Sequence, residues 1–480
     1  MKVGLIAEGS YPFVSGGVSS WAHLLTSQLH GFSFGMYTIT SEQKVVSDIE
    51  YDLPWNFDFL KNLPISVSET SSFERKPNLT KQEVEHLFEW FTFQSVDPNT
   101  LLLIGDQTRM GNLKGFFQSP EFYEIVQRAY QYEEQSGSFL DYVYTYKSMY
   151  TPVIQLLQQS TGSDVDLYHS FSTGYGGLLG AYLSVKRNKP FVITEHGIYS
   201  REREEEILRA GWVPLEYKKR WIQFFHHLSR QAYTVARDIV SLFENNRLYQ
   251  IELGAPIKKT NIIPNGITIP ETTVTTESSQ TMFTIGSIVR VVPIKDIKTM
   301  IYTAKILQSQ GEKFQWEILG PDKEDPEYAD ACLKLVAELG LSSVVHFKGL
   351  VDITQYVGKY DVCVLSSISE GQPLAVLEGM AYGKPWIVTD VGGCRELIEG
   401  REDDVFGSCG FVVPPVNPEA LAERISWCIH NRDLLPELGE TGRRRAVTLY
   451  SSEKVSESYE RLYRKDMRYG RNRLSITKTV

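Results

Sequence analysis

The sequence predicts an α/β protein of two Rossmann-like, doubly wound parallel-sheet domains with a cleft between them. Three observations lead there. Short apolar runs alternate with amphipathic stretches at both ends of the chain, which is the pattern of repeated βαβ units. A Thr/Ser-rich stretch at 268–280 (TIPETTVTTESSQ) separates two such series and reads as a linker. The length, 480 residues, accommodates two or three domains at about 150 residues each.

The elements follow in chain order. Val3 to Ala7 is apolar throughout and reads as a buried first strand. After a Gly-containing loop, a helix is expected from Val18, because Val18, Trp21, Leu24, Leu25 and Leu29 share one face. Residues 165–169 and 191–194 read as further buried strands, and 178–185 as a helix between them. The stretch 41–160 fits the alternation poorly. It is rich in Tyr, Phe and Trp and holds helical patterns such as 83–93, so it reads as an ordered helical insertion. In the second series strands are expected at 282–289, 316–319, 344–347, 362–366 and 386–389. Helices are expected at 297–308, 329–339, 353–357 and 373–382. The resulting division is 1–280, 281–446 and a C-terminal helix and tail, 447–480.

Composition narrows the function. Hydrophobic residues at 42% and charged residues at 22% exclude a disordered or fibrous chain. A net charge of -10 argues against a dedicated nucleic-acid binder. Five cysteines with no C-x-x-C pair make neither a disulfide framework nor a zinc site, and point to a reducing compartment. No apolar run reaches the ~18 residues a membrane span needs, and the first apolar run is too short for a signal peptide. The expectation is a soluble, cytoplasmic protein. Charge is uneven, however: from Arg443 onward eleven basic residues face four acidic ones, a +7 tail on a -17 body. Val455, Tyr459, Leu462 and Tyr463 recur there at helical spacing, so this tail is expected to dock one face and to steer the protein toward a membrane-bound partner through Arg471 to Val480.

In open parallel sheets ligands bind beyond the carboxyl ends of the strands, so candidate residues are sought there. Gly16 and Gly17 precede the first helix and let an anion approach its N-terminus, with Ser15 as a cap; the plain reading is a tight turn. The loop lacks G-x-G-x-x-G, which disfavours a nicotinamide cofactor. His196 follows the strand at 191–194 and is placed to donate to a sugar hydroxyl; the alternative is a structural histidine. Arg201 and Arg203 open a charged helix that is mostly a solvated face. Arg290 and Lys295 follow the first strand of the second series and suit a diphosphate, or are two solvated cations. In Glu370-Gly-Gln-Pro-Leu-Ala-Val-Leu-Glu378, Pro373 occupies the first helical turn and frees the N–H groups of Leu374 and Ala375. Glu378 lies among Leu377, Gly379, Met380 and Ala381, where a carboxylate needs a partner such as a ribose diol. No metal-ligand cluster is visible.

Together, Gly16-Gly17, Ile263-Pro-Asn-Gly-Ile267, Arg290 with Lys295, and Glu370 with Glu378 resemble the family 4 retaining glycosyltransferases of the GT-B fold. The fragments EGSYPFVSGGVSSW, TEHGIYSRER, GPDKEDPEY and SISEGQPLAVLEG look like the Pel exopolysaccharide branch of that family. The resemblance implies the following roles. Arg290 and Lys295 hold the donor diphosphate, and Glu378 binds the ribose. Glu370 and the backbone of Gln372, Pro373 and Leu374 hold the donor sugar, which His196 contacts near its anomeric carbon. Gly17 contacts phosphate, and the backbone around Gly349 contacts the base. It also implies a UDP-sugar donor, a growing polysaccharide acceptor, an inner-membrane synthase or export complex as partner, and no metal or other cofactor. Gln372-Pro373 stands where the wider family has a second Gly and an aromatic residue, which reshapes the sugar-binding loop. The competing readings are a nucleotide-sugar-binding subunit that regulates a membrane synthase, and a GT-B enzyme of storage or disaccharide metabolism.

Overall fold

The computed structural model describes residues 1–65, 73–133, 137–270, 282–402 and 404–476. Its chain forms two compact units. One comprises Met1–Ser241, Asn246–Ile263 and Ser458–Val480; the other comprises Leu242–Asn245 and Pro264–Glu457. From residue 271 the expected linker lies outside the described residues, as do the tail side chains from residue 466.

The first unit is built on seven strands: β1 (Lys2–Glu8), β2 (Ser33–Thr40), β3 (Phe57–Pro64), β4 (Leu167–Ser170), β5 (Phe191–Glu195), β6 (Asp238–Ser241) and β7 (Thr260–Ile262). All pair in parallel, in the order β3-β2-β1-β4-β5-β6-β7. The interior strands are buried on both faces, which is why they read as continuous apolar runs. Order reverses between β1 and β4, where Val3 faces Leu167 and Ile6 faces Ser170. That switch point opens a crevice at the carboxyl ends.

Ten helices accompany this sheet in the chain: α1 (Gly17–Gln28), α2 (Lys81–Phe91), α3 (Pro98–Ile104), α4 (Leu113–Phe117), α5 (Pro120–Tyr132), α6 (Phe139–Gln159), α7 (Tyr175–Arg187), α8 (Tyr199–Arg209), α9 (Leu215–Val235) and α10 (Glu244–Glu252). The region 41–160 is not wholly helical: Phe57–Pro64 forms β3 at the sheet edge. This edge strand is only partly buried and lacks the apolar run that marks its neighbours. The aromatics of the region form a core with α9. Trp90, Tyr142, Tyr146 and Tyr150 are fully buried, Phe91 stacks on Tyr150 at 4.1 Å, and Trp90 donates to Gln231 Oε1 at 2.9 Å. Thr80 and Glu83 cap α2 reciprocally.

The second unit carries β8 (Phe283–Ile288), β9 (Phe314–Leu319), β10 (Val345–Gly349), β11 (Val362–Leu365), β12 (Trp386–Thr389) and β13 (Gly410–Val413), all parallel in the order β10-β9-β8-β11-β12-β13. The helices are α11 (Ile297–Ser309), α12 (Pro326–Glu338), α13 (Leu374–Ala381), α14 (Cys394–Glu399), α15 (Pro418–His430), α16 (Leu435–Leu449) and α17 (Ser452–Ile476). The helix expected at 353–357 is instead two 3-10 turns, Ile353–Gln355 and Val357–Lys359. Here the switch point lies between β8 and β11. All five cysteines are free and buried in this unit; burial raises the thiols of Cys363 and Cys428 to about 12.

From Ser458 the last helix belongs to the first unit. Its aromatic face enters the core there. Tyr463 Oη lies 2.7 Å from His169 Nδ1, Tyr459 Oη lies 3.1 Å from Thr194 Oγ1, and Tyr459 packs edge-on against Trp21. Among the described residues no helix is long and apolar enough to cross a membrane.

Candidate functional site

Each unit assembles candidate residues at its own switch point. In the second unit the loop after β8 carries Arg290 and Lys295, and the loop after β11 carries Ser366 to Glu370. The Ser366 hydroxyl donates to the carbonyls of Lys295 (2.9 Å) and Asp296 (3.0 Å), which ties the two loops together across the switch. Lys295 Nζ then donates to the Glu370 carboxylate, and the Ser367 hydroxyl donates to the same oxygen. Both members of this ion pair are largely buried, with side chains 16% and 10% exposed. Arg290 goes elsewhere. It is half exposed and pairs with Glu324, beyond β9, at 2.5 Å. Both cations therefore rest on carboxylates, one in a sheltered pocket and one at the surface.

Glu378 lies one helix further, on α13. It is partly buried, its carboxylate makes no hydrogen bond or ion pair among the described residues, and burial raises its pKa. Pro373 is the N-cap of α13, not its first helical residue, because its ψ of 114° is extended. The free N–H groups at this helix start thus begin at Leu374. Gln372 is buried, and its Oε1 accepts from the Asn265 backbone N–H at 2.7 Å. Asn265 Nδ2 donates back to the Gln372 carbonyl at 3.3 Å, while Asn265 Oδ1 is buried without a partner.

The Asn265–Gln372 clasp was not legible in the sequence, since its partners lie 107 residues apart. Neither was Gly392. It has φ +53°, and a Cβ there would lie 2.0 Å from the Glu370 carbonyl oxygen. Gly393 N–H donates to the Gly371 carbonyl at 2.8 Å, and Thr389 Oγ1 donates to the Ser367 carbonyl at 2.7 Å. The loop after β12 thus braces the loop that presents Glu370. A Gly-Gly pair following a strand was the only available signal. Gly349 ends β10, with its carbonyl accepting from Gly320 N–H at 2.9 Å, and Leu350 beside it is 82% exposed.

In the first unit Gly16 is the N-cap of α1 and makes no side-chain capping bond, so Ser15 does not cap the helix. A side chain at Gly16 or Gly17 would meet open space. His196, just past β5, packs edge-on against Trp21 at 4.5 Å. Burial lowers its pKa to about 3, so the ring is neutral at physiological pH. Its Nε2 is buried and unpartnered, and so are Trp21 Nε1, Ser172 Oγ and Ser200 Oγ. Four buried polar atoms on α1 and beyond β4 and β5 thus lack hydrogen-bond partners among the described residues. Beneath them Glu195 is fully buried and accepts from Tyr233, Thr173 and Gln250, which anchors the end of β5. Arg201 is exposed, with its guanidinium 5.2 Å from the Tyr249 ring centroid. Among the described residues no group of three or more His, Cys, Asp or Glu could hold a metal ion.

Comparison with known proteins agrees with this two-unit division. Residues 1–258 match the family described as "Domain of unknown function (DUF3492)", and residues 270–445 match "Glycosyl transferases group 1". An MMP alpha-(1->4)-mannosyltransferase of Mycolicibacterium hassiacum is 26% identical over 317 residues, covering 63% of this chain and 71% of that protein. The putative glycosyltransferase EpsD of Bacillus subtilis is 33% identical over 164 residues, 34% of this chain and 40% of EpsD. Among solved structures, Anabaena HepE in complex with UDP aligns over 97% of this chain and all of its own, with a TM-score of 0.60 at 15% identity. Sucrose-phosphate synthase from Thermosynechococcus elongatus aligns over 97% and 98%, with a TM-score of 0.56 at 18% identity. These likenesses establish the GT-B fold. The chain thus belongs to the DUF3492 family through residues 1–258, and residues 270–445 are similar to the group 1 glycosyl transferases.

Proposed function

We propose that this protein is a cytoplasmic, retaining glycosyltransferase that uses a UDP-sugar, UDP-glucose or a UDP-N-acetylhexosamine, to extend an exopolysaccharide of the Pel type for a biofilm matrix, the role of the Pel glycosyltransferase PelF. The observation that carries the reading is the sheltered Lys295–Glu370 pair at the strand ends together with the partnerless carboxylate of Glu378 on α13. A donor diphosphate exchanges one anion for another at Lys295, and a ribose diol supplies the two donors that Glu378 lacks. Arg290 reaches the same diphosphate by leaving Glu324. Glu370, freed from Lys295, accepts from sugar hydroxyls, and the N–H groups from Leu374 onward face the negative charge that develops on the leaving group. The leaving diphosphate takes the proton of the acceptor hydroxyl, so the protein contributes charge stabilisation and positioning. His196 is neutral and serves as a hydrogen-bond donor to the sugar. Gly16 and Gly17 leave the phosphate side of α1 open. The fold's likeness to a protein solved with UDP supports the choice of nucleotide. The growing glycan is the acceptor, and an inner-membrane synthase or export complex is the partner. No metal takes part, so EDTA should leave turnover unchanged.

The test is donor consumption by the purified protein across UDP-sugars, with acceptor supplied. Lys295→Ala should cut turnover by about a hundredfold or more without unfolding the protein, although the melting temperature falls because Glu370 loses its buried counter-charge. Arg290→Ala should also cut turnover by orders of magnitude. Turnover near wild type in both variants overturns the assignment. Saturable UDP binding without donor consumption favours the regulatory-subunit reading.

A further inference from the structure

We propose that a cavity in the helical part of the first unit, separate from the residues assigned above, binds oligosaccharide. The cavity has a volume of about 650 Å³ and is lined from the ends of α2, α5 and α10 and along α9. That volume falls within the range of small-molecule sites, roughly 300–1,000 Å³.

Its lining is built around Arg220. This side chain is 5% exposed, pairs with Glu133, donates to the Phe91 carbonyl at 2.9 Å, and keeps a buried Nε with no partner. Beside it Phe93 adopts φ +64°, a costly conformation for a bulky residue, with its ring centroid 4.8 Å from the Arg220 guanidinium carbon. Arg230 donates to the Phe93 carbonyl at 3.1 Å and so helps to hold it there. Tyr132 is 59% exposed and offers an aromatic face. Glu216, Lys219, Gln223 and Glu252 also line it; their side chains are exposed and make no hydrogen bond or ion pair among the described residues.

The ligand class follows from this mixture. A polyanion would meet Glu216 and Glu252, and an apolar ligand would displace water from four exposed polar side chains without replacing its hydrogen bonds. Sugar hydroxyls both donate and accept, so they suit unpaired carboxylates, an ammonium and an amide at once. The apolar face of a sugar ring suits Tyr132. The choice of a glycan rests on the glycosyl-transfer reading in one respect, that a chain-building transferase has a polymer to hold.

The test uses the full chain and the exposed-site variants Tyr132→Ala and Gln223→Ala, singly and combined. Maltohexaose, chitohexaose and inorganic phosphate are titrated calorimetrically, with UDP in parallel. The expected result is that a hexasaccharide binds, that the double variant weakens it about tenfold or more, and that UDP binding is unchanged. Three results overturn the proposal: neither hexasaccharide binds, binding survives the double variant, or phosphate is the ligand that the variant loses. The UDP arm keeps the two readings apart. Variant-sensitive glycan binding without UDP binding keeps the cavity site and sinks the transferase. UDP-sugar turnover without glycan binding does the reverse.

Discussion

Glu378 is held without a partner in a half-buried position, so the folded protein disfavours its charge. A carboxyl with a raised pKa contributes stability below its unfolded value of 4.5, and this is lost as pH rises through the folded value. At neutral pH its charge therefore opposes folding. Glu378→Gln should raise or preserve the melting temperature of the ligand-free protein while weakening UDP binding about tenfold or more. Calorimetry and thermal melting on one preparation check both. His227 shows the opposite sign. It is completely buried against Trp90, both ring nitrogens lack partners, and burial lowers its pKa to about 3. The stability tied to its neutral form is full above pH 6.5 and is lost as pH falls toward 3. His227→Leu should gain stability relative to wild type progressively below pH 6.5, with a constant difference above it. Denaturant titrations at pH 7.5, 6 and 5 measure this, and parallel curves would refute it.

At the scale of elements, the loop after β12 acts on a site it does not enter. Gly392→Ala forces a Cβ into the Glu370 carbonyl and pushes away the loop that presents Glu370. Donor turnover should fall about tenfold or more, with the helical content unchanged by circular dichroism. From 282 to 389 the second unit's strands and most of its helices were legible because each interior strand is a short apolar run and each long helix keeps its period; β13 and α14 to α16 were not read, and 353–357 forms 3-10 turns. The edges were not legible: β3 is only half-buried, and β7 has three residues, none fully buried. Glu370, Glu378 and Lys295 could be proposed from sequence because a strand end is a fixed reference point in the chain. Ser366, Asn265 and Gly392 act through contacts between strand ends distant in sequence, which no local pattern encodes.

Over the whole molecule, the helical core of the first unit and the late helix α17 share the task of completing that unit. Trp90→Ala empties a fully buried site and leaves Gln231 without its donor, so it should cost about 3–5 kcal/mol. Tyr463→Phe should have a smaller effect, about 1–3 kcal/mol, by leaving His169 Nδ1 unpaired. Equal destabilisation by the two variants in urea melts would contradict this ranking. The charge arithmetic now has a structural sense as well. The basic stretch starts inside α16 of the second unit, where Arg445 is buried against Asp404, and only from Ser458 does it run as a helix whose apolar face is committed to the core of the first unit, through Tyr459 and Tyr463.

That commitment sets an order of events during synthesis. The His169 ring is made early, and the Tyr463 hydroxyl that satisfies it follows 294 residues later. At about 5–20 residues per second, a ribosome leaves that histidine waiting for roughly 15–60 s. For that interval the nascent first unit has a gap where Tyr459 and Tyr463 belong, open to water or to a chaperone. Closure of that gap reports that translation has passed through the entire second unit, so a chain stalled before Tyr459 is left with an exposed apolar seam that quality control can read.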